Sequence, residues 1–506
     1  MASVSYKAGR TGLEVKLHDC ADLVGAVRQP NDRDKPLTIQ GVRMRIMFGL
    51  REQRERLYAV WRRVLSLSWP VMVEQVFRTL MRTTDIIIAG MFSPAAVAAI
   101  GLADLYARFP LRIGLSFGAG AIALSSQDTG SGAIRQRNEA ITQAILFGAV
   151  AGLPFIAFGY FLGEWAIDIL GAESEVVELS AIYLAIIFAT SPARHVALIA
   201  ARGLQGTGDT RTPMYVNIIS NGINIILSIL LGLGIGPIPE LSVVGIGIAT
   251  AIGNVFTAGA LLLAIHSPYT AAGFHRPTDL TIAKQLLVVS LPQLGEGIID
   301  TLVDFPFNAL LLFFGTEVNA AYQIGRRLYQ QVTGPLARGY NVGASIVVGQ
   351  ALGAGSPRHA RFNGWAATAL GIITVGTLGW IVAAGAYWFV LLFTRDPETV
   401  GYAIHFAQAY GIAAPALVGF TVLAGGLQGA SETRWPLVAR TTGLLLFYLG
   451  FSYVGGVVVG MGVPALYLGI ILTYLWAVLL LAGAFHWGGW VNRATAMMAD
   501  RGSTDV

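Results

Sequence analysis

The sequence predicts an all-α polytopic membrane protein, with twelve transmembrane helices in two six-helix lobes related by a parallel internal repeat. Three observations lead to this fold class. Of the 506 residues, 54% are hydrophobic and only 12% are charged, whereas an average soluble domain is about 25% charged. Long apolar runs alternate with short polar connections, and several motifs recur at a nearly constant offset. This composition excludes a cytosolic enzyme and a disordered chain, and the single cysteine, Cys20, excludes a disulfide scaffold.

From about residue 65, twelve apolar segments are each long enough to cross about 30 Å of hydrocarbon as a helix. Runs of about 20–30 residues are typical of helices, whereas barrel strands need only about ten. The segments lie near 65–92, 98–127, 140–162, 178–203, 212–234, 241–265, 284–314, 319–350, 363–393, 400–428, 434–459 and 462–490. Because their number is even, both termini lie on one side of the membrane.

The charges of the connections predict the orientation. One alternate set carries Arg135, Arg137, Arg202, Arg211, Arg276, Lys284, Arg358, Arg361 and Arg434. The other set carries the single base Arg395 and the acids Glu164, Asp168, Glu173, Glu175, Glu178, Glu240, Glu317, Asp396 and Glu398. The positive-inside rule places the first set in the cytoplasm. We therefore expect a multi-pass protein of the cell (plasma) membrane with both termini cytoplasmic.

The net charge of +5 comes from the N-terminal segment. Residues 1–63 contain 13 basic and 7 acidic residues, and the rest of the chain is close to neutral. Residues 1–64 are therefore predicted to be a cytoplasmic basic tail, in which Met44–Arg63 forms an amphipathic helix on anionic lipid headgroups. The partner indicated by this charge is membrane lipid and not nucleic acid. The first 40 residues lack the apolar core of a cleavable signal peptide.

An internal repeat divides the rest of the chain into two halves. The motif Gly203-Leu-Gln-Gly-x-x-Asp-Thr-Arg-x-Pro213 recurs as Gly426-Leu-Gln-Gly-x-x-Glu-Thr-Arg-x-Pro436, at an offset of 223. Gly120 and Gln127 recur as Gly343 and Gln350 at that offset, and Pro70-x-x-x-Glu74 recurs as Pro292-x-x-x-Glu296 at 222. Since each half has an even number of helices, the repeat is parallel. The predicted parts are an N-lobe (65–270), a linker (271–283), a C-lobe (284–492) and a C-terminal tail (493–506).

Charged residues inside the predicted spans indicate a transporter. Such charges are expensive in the membrane unless they are paired or hydrated, and internal repeats often enclose a transport site. The first predicted helix carries Glu74, Arg78, Arg82 and Asp85 on one face, and the seventh carries Glu296, Asp300 and Asp304 on one face. The acids of the seventh helix are left to pair with Arg326, Arg327 or Arg338, or with water, a cation or a proton. Structural salt bridges between helices are the alternative interpretation.

The fifth predicted helix carries a row of small polar residues, Asn217, Asn221, Asn224 and Ser228, at helical spacing. These side chains offer neutral oxygen ligands or hydrogen bonds to a cavity, which Asn217 and Asn221 are predicted to line. Polar packing between membrane helices is the alternative. No lysine follows a glycine as a P-loop requires, and there is no H-E-x-x-H or C-x-x-C. We therefore predict no catalytic residues, no metal site and no cofactor, and a secondary transporter driven by H⁺ or Na⁺.

Several of these motifs taken together resemble the multidrug and toxic compound extrusion (MATE) family. They are Pro70…Thr84-Asp85-Ile-Ile-Ile-Ala-Gly90…Ala98-Ala-Ile-Gly101, Gly118-x-Gly120…Gln127 with its copy Gly343…Gln350-Ala-Leu-Gly-Ala-Gly355, and the paired Leu-Gln-Gly turns. The match covers about residues 65–490. The resemblance implies two six-helix lobes and export of organic, often cationic, compounds coupled to entry of H⁺ or Na⁺.

The resemblance also implies a set of ion-coupling residues. Asp85 matches the family's carboxylate on the first helix, Asn224 a polar partner on the fifth, and Thr250 a hydroxyl on the sixth. The archaeal and DinF-like branch, which the sequence resembles most, usually carries Asp where Ser228 stands. In the second lobe, Asp300 stands near the position where NorM-like members carry an acid on the seventh helix. Their second acid, on the tenth helix, has no counterpart here, because the corresponding stretch Pro415-Ala-Leu-Val-Gly419 is apolar. Coupling through Asp85, through Asp300 and Asp304, or through both remains open.

The leading interpretation is a multidrug efflux antiporter that works as a monomer by alternating access. A lipid-linked oligosaccharide flippase of a related two-lobed fold is the alternative, because several arginines lie near the predicted lobe interface and suit a pyrophosphate. A membrane-embedded enzyme is a third class, because the carboxylates of the seventh helix could act as an acid pair. The sequence places no nucleophile or metal cluster beside them, however.

Overall fold

The computed structural model describes residues 39–237 and 239–503, with side chains from residue 51 onward. Within these ranges the chain is helical and contains no β-strand, which confirms the predicted all-α fold class. The parts of the predicted tails before residue 39 and after residue 503 lie outside the described residues. So do the side chains of residues 44–50 in the predicted amphipathic stretch.

Eight helices make up the first half of the chain. They are α1 (Ile39–Phe92), α2 (Pro94–Ser131), α3 (Ile134–Phe161), α4 (Gly163–Asp168), α5 (Ser174–Ala189), α6 (Ser191–Gly206), α7 (Arg211–Leu233) and α8 (Ser242–His266). The start of α2 shows how the sequence sets these bounds. The Ser93 side chain accepts a hydrogen bond from Ala96 N at 3.0 Å, and Pro94 follows at the first helical position, which is the favoured pattern for a helix start.

The second half repeats this arrangement with more breaks. Its helices are α9 (Leu280–Phe314), α10 (Thr316–Val332), α11 (Gly334–Gly353), α12 (Pro357–Gly371), α13 (Thr377–Ala384), α14 (Ala386–Val390), α15 (Pro397–Gly429), α16 (Arg434–Gly443), α17 (Pro464–Trp487) and α18 (Trp490–Asp500). Wider π-helical turns at Ile372–Gly376, Leu444–Phe451 and Val454–Val458 continue α12 and α16.

The described helices account for the twelve predicted spans. Nine spans are long and apolar enough to cross a membrane, and α5 with α6 forms a tenth that bends by 50°. The other two are the second part of α1 and the pair α10–α11, which carry several charged residues. Arg202, predicted in a connection, lies within α6 because the bent span continues as far as Gly206.

We call the two ends of the bundle the basic end and the acidic end, after the residues of their connections. The connections that carry Arg135, Arg211, Arg276 and Arg358 lie at the basic end. Those that carry Asp168, Glu240, Glu317 and Asp396 lie at the acidic end.

The hydrophobic cores of the two halves merge at the basic end and separate toward the acidic end. One buried cluster joins Val64 and Ile122 of the first half to Val347 of the second, and another joins Leu124 to Leu286. Toward the acidic end, one cluster contains residues 88–246 of the first half alone, and another contains residues 303–470 of the second half alone. The halves therefore share buried clusters at the basic end, whereas toward the acidic end each half has a core of its own.

Candidate functional site

The repeated Leu-Gln-Gly turns seal the basic end by a symmetric exchange of hydrogen bonds. Gln127 of α2 donates from Nε2 to the carbonyl oxygen of Gly429 at 2.8 Å. Its copy in the second half, Gln350 of α11, donates from Nε2 to the carbonyl oxygen of Gly206 at 3.2 Å. Each glutamine thus binds the turn of the opposite half, and all four residues obey the offset of 223. The repeat was visible in the sequence, but this pairing was not.

Two glycines let the backbones of the halves come into direct contact at this seal. A Cβ on Gly130 would clash with the backbone of Gln350, and a Cβ on Gly353 would clash with the backbone of Gln127. Gly130 and Gly353 are again related by the offset of 223. Only a residue without a side chain fits such an approach, so these glycines allow the tight closure of the basic end.

The C-terminal helix α18 ties the two halves together below this seal. Arg493 of α18 forms an ion pair with Glu432 of the second half at 2.8 Å. Just beyond the helix, Arg501 donates from Nη2 to Asp128 Oδ1 of α2 in the first half at 2.7 Å, and neither side chain is exposed. Arg501 also donates to Gln285 Oε1 and Gln127 Oε1, each at 2.9 Å. The sequence indicated only a C-terminal tail here, because nothing in its pattern distinguishes Arg501 from the other bases.

Helix α1 is in contact with both halves at different depths. Nearer the basic end, Ser68 and Met72 pack where Cβ atoms on Gly343 and Gly339 of α11 would stand, so this part of α1 lies against the second half. Nearer the acidic end, Ile88 lies against Gly232 of α7 in the first half. Helix α1 therefore connects a contact with the second half to the packing of the first half.

Asp85 lies on the part of α1 that packs against the first half, one turn from Ile88. Its carboxylate is 5% exposed, and Oδ1 accepts a hydrogen bond from Ser228 Oγ of α7 at 2.9 Å. One helical turn away, Asn224 Nδ2 donates to Thr250 Oγ1 of α8 at 3.2 Å, while Asn224 Oδ1 is buried and has no hydrogen-bond partner among the residues that the structure describes. The structure thus brings the four predicted ion-coupling residues together as two hydrogen-bonded pairs.

Two further groups belong to this neighbourhood: Asp104, a charged residue of the second predicted helix, and Tyr183, which sequence reasoning did not include. Tyr183 of α5 is buried and interacts electrostatically with Asp85 and with Asp104 of α2. Nothing in the spacing of Tyr183 marked it, because it comes from another helix.

The two predicted cavity residues, Asn217 and Asn221, differ in their hydrogen bonds. Asn217 donates to the Pro213 carbonyl of its own helix at 2.8 Å, whereas the buried Asn221 Nδ2 has no hydrogen-bond partner within residues 39–237 and 239–503.

The predicted acids of α9 are mostly neutralised by arginine. Asp304 pairs with Arg326 of α10 at 3.0 Å, as one of the predicted alternatives required. Asp300 pairs with Arg440 of α16 at 2.8 Å, a partner that the sequence did not indicate. Glu296 forms no ion pair with any residue that the structure describes. Two of the three acids thus fit the structural interpretation of salt bridges between helices, and Glu296 does not.

Comparison with known proteins agrees with this two-part architecture. The MatE family model matches residues 70–230 and again residues 292–454, one match in each half. The chain belongs to the MatE family. The double match reproduces the internal repeat, and together with the fold it makes the protein a multi-pass membrane transporter.

Individual relatives cover most of the chain. The probable multidrug resistance protein NorM of Rhodopseudomonas palustris is 29% identical over 83% of this chain and 90% of its own length. The FAD transporter of Shewanella oneidensis is 24% identical over 82% and 94%. Among solved structures, a MOP superfamily transporter from Pyrococcus furiosus, described as having a binding pocket of reverse polarity, shares the fold. Its TM-score is 0.77 at 19% identity, covering 86% of this chain and 96% of that one.

Proposed function

We propose that this MatE-family protein is a multidrug efflux antiporter that exports small organic compounds in exchange for H⁺ or Na⁺ by alternating access. The observation that carries the proposal is the asymmetry of the contact between the halves. Their contact is close and symmetric at the basic end, while toward the acidic end each half has its own core. Such a molecule opens to the other side when the basic-end contacts break.

The orientation follows from the charges of the connections. The basic end is the cytoplasmic end by the positive-inside rule, so both termini are cytoplasmic and the described state opens outward. Residues 65–270 and 284–492 are the two moving lobes in this proposal, joined by the linker 271–283 and flanked by the tails 1–64 and 493–506. The protein acts as a monomer in the plasma membrane, since each chain contains both lobes.

Asp85 is the residue through which we propose that the ion acts. A buried carboxylate with one hydroxyl donor has room to take up a proton, or to bind Na⁺ together with neutral oxygen atoms. Either event changes the bond to Ser228 and so the packing of α1 on α7. Because the other part of α1 lies on α11, this change alters the contact between the lobes. No nucleophile or resident cofactor takes part in the proposed cycle.

The charge of the cargo is a separate question. The sequence predicts substrates that are often cationic, and Glu296, Asp300 and Asp304 are the acids that suit them. Asp300 and Asp304 are paired with arginines, whereas Glu296 forms no ion pair with any described residue. Glu296 is therefore the acid that we assign to a cationic cargo. A lipid-linked oligosaccharide flippase remains the second candidate, favoured by the arginines that lie between the lobes.

Transport by purified protein in lipid vesicles tests the proposal. We expect efflux of an organic dye to be driven by an imposed H⁺ or Na⁺ gradient, and Asp85→Asn to abolish the response to the gradient. Asp168→Asn, which changes an exposed acid at the acidic end, is the matched control and keeps the wild-type response. If Asp85→Asn responds to the gradient as the wild type does, coupling through Asp85 is wrong.

A further inference from the structure

Six arginines from four helices face one another between the two halves. They are Arg78 and Arg82 of α1, Arg112 of α2, Arg194 and Arg202 of α6, and Arg338 of α11, and Arg194 interacts electrostatically with Arg78 and Arg82. We call them the arginine cluster. Arg338 interacts electrostatically with Arg78, Arg82 and Arg112, and Arg202 with Arg78 and Arg338. Like charges are thus collected at one place in the membrane.

Side-chain contacts place this cluster at the boundary between the halves. Arg112 lies across α9 of the other half, with its Cδ atom 2.8 Å from where a Cβ of Gly297 would stand. Arg338 of the second half donates from Nη1 to Gln75 Oε1 of α1 at 3.1 Å. Since Arg112 precedes Gly120 by eight residues on α2, it lies about 12 Å from the close contact of Gly120 with α9. The cluster therefore lies on the acidic-end side of the sealed basic end, at the boundary between the halves.

The protein supplies too little negative charge to balance the cluster. Four carboxylates interact with its six arginines, and they are Glu74, Asp85, Asp104 and Glu296. Only Arg78 is in an ion pair, with Glu74 at 3.2 Å. The other five form none with any residue in the described ranges. Unpaired guanidinium groups at this depth require water or a counter-anion.

The chemistry of guanidinium identifies the class of anion. Each guanidinium presents a planar fork of donors that fits carboxylate or phosphate oxygens in pairs. A single carboxylate has two oxygens and satisfies about one fork. Arginines from several helices instead fit a group with more oxygens and more than one negative charge, and a phosphate group is the simplest such group.

We infer that the arginine cluster is a binding site for an organic phosphate, and that phosphate-bearing anions are a class of cargo for this transporter. The inference rests on the proposed function for the step of export, but binding itself does not depend on it. Asp300 and Asp304 do not oppose this assignment, because they are already paired with Arg440 and Arg326. The third acid of α9, Glu296, adds a single negative charge beside Arg112.

Equilibrium binding of two matched fluorescent probes tests the inference. Flavin mononucleotide and riboflavin differ only in one phosphate group. We expect the purified full-length protein to bind flavin mononucleotide at least tenfold more tightly than riboflavin. Arg112→Gln and Arg338→Gln should each weaken flavin mononucleotide binding by about tenfold, as loss of one charge-assisted hydrogen bond does. Arg135→Gln, an exposed arginine at the basic end, should bind like the wild type.

Competition then distinguishes the two sources of the phosphate group. Displacement of flavin mononucleotide by dispersed phosphatidic acid, more strongly than by soluble phosphate esters, assigns the site to a lipid headgroup, as a flippase requires. Displacement by the soluble esters assigns it to soluble cargo. Equal binding of flavin mononucleotide and riboflavin, or binding that neither arginine substitution weakens, overturns the inference.

The outcomes also separate this inference from the proposed function. Gradient-driven efflux of an organic cation, without binding of flavin mononucleotide, leaves the antiporter proposal intact and refutes the phosphate site. Binding that depends on Arg112 and Arg338, in a protein that no ion gradient drives, supports the site and refutes the antiporter proposal.

Discussion

The ion pair between Asp128 and Arg501 gives the sharpest prediction about the closure of the basic end. Both side chains are fully buried, and the pair joins the C-terminal segment to α2 of the first half. Asp128→Asn keeps the shape and removes the charge, which leaves a buried guanidinium without its anion. Breaking one partner of a buried pair destabilises a structure by about 3–5 kcal/mol. The lower value fits here, because Gln127 and Gln285 still accept hydrogen bonds from Arg501.

This free energy acts on one conformation more than on the other. When the basic end opens, Arg501 is released to water and no longer needs Asp128. At about 1.4 kcal/mol per factor of ten, the substitution shifts the equilibrium toward the open basic end by about 100-fold or more. Replacing both residues, as in Asp128→Leu with Arg501→Leu, removes the unpaired charge and should restore much of the closed population, because apolar replacements of buried pairs are often neutral.

Distances between spin labels measure this shift. Labels at Arg135→Cys and Arg358→Cys, both exposed at the basic end and related by the offset of 223, report its opening in a Cys20→Ser background. We expect Asp128→Asn to move the distribution to longer distances. Glu55→Gln, which breaks the exposed Arg51–Glu55 pair, should leave it unchanged, since such pairs contribute about 0.3–0.5 kcal/mol. An unchanged distribution in Asp128→Asn refutes the role of this pair in closure.

Three further substitutions have direct readouts. Gly353→Ala places a methyl group against the Gln127 backbone, so we expect the same label pair to report opening, whereas Gly259→Ala, where a Cβ meets nothing within 4 Å, should not change the distance. Asp300→Asn leaves Arg440 without its partner in a site that is 16–23% exposed, and we expect a loss of about 2 kcal/mol in thermal unfolding, between the values for exposed and buried pairs. Asp304→Asn breaks the more exposed pair (25–27%) and should lose less; an equal or larger loss contradicts the burial argument.

Much of the fold was predictable because it depends on local patterns. The length of the apolar runs fixed the number of spans, and the recurrence of Leu-Gln-Gly turns revealed the repeat. Breaks within spans were harder to place. The division of the predicted span 319–350 into α10 and α11 falls at Thr333, just before Gly334-Pro335, where proline lacks the N–H that a continuous helix uses.

The pairing of the charged residues was less predictable, because partners come from helices far apart in the chain. Glu74 and Arg78 are one turn apart on α1, so their spacing was sufficient to indicate the pair. Asp300 pairs with Arg440 at a separation of 140 residues, and Asp128 with Arg501 at 373. No periodicity of a single helix contains such information. Asp85, Asn224 and Ser228 were marked by their place inside predicted spans, but their grouping with Thr250 into one site came from the resemblance. Tyr183 was missed because it comes from a helix without a matching motif.

The measurement that most directly tests alternating access compares both ends of the same molecule. One label pair at Arg135→Cys and Arg358→Cys reports the basic end, and a second at Glu164→Cys and Arg395→Cys reports the acidic end, both measured with and without the driving ion. We predict opposite changes, in which the basic end opens as the acidic end closes, and no response to the ion in Asp85→Asn. If both distances change in the same direction, or if the ion acts equally on Asp85→Asn, the proposed mechanism is wrong.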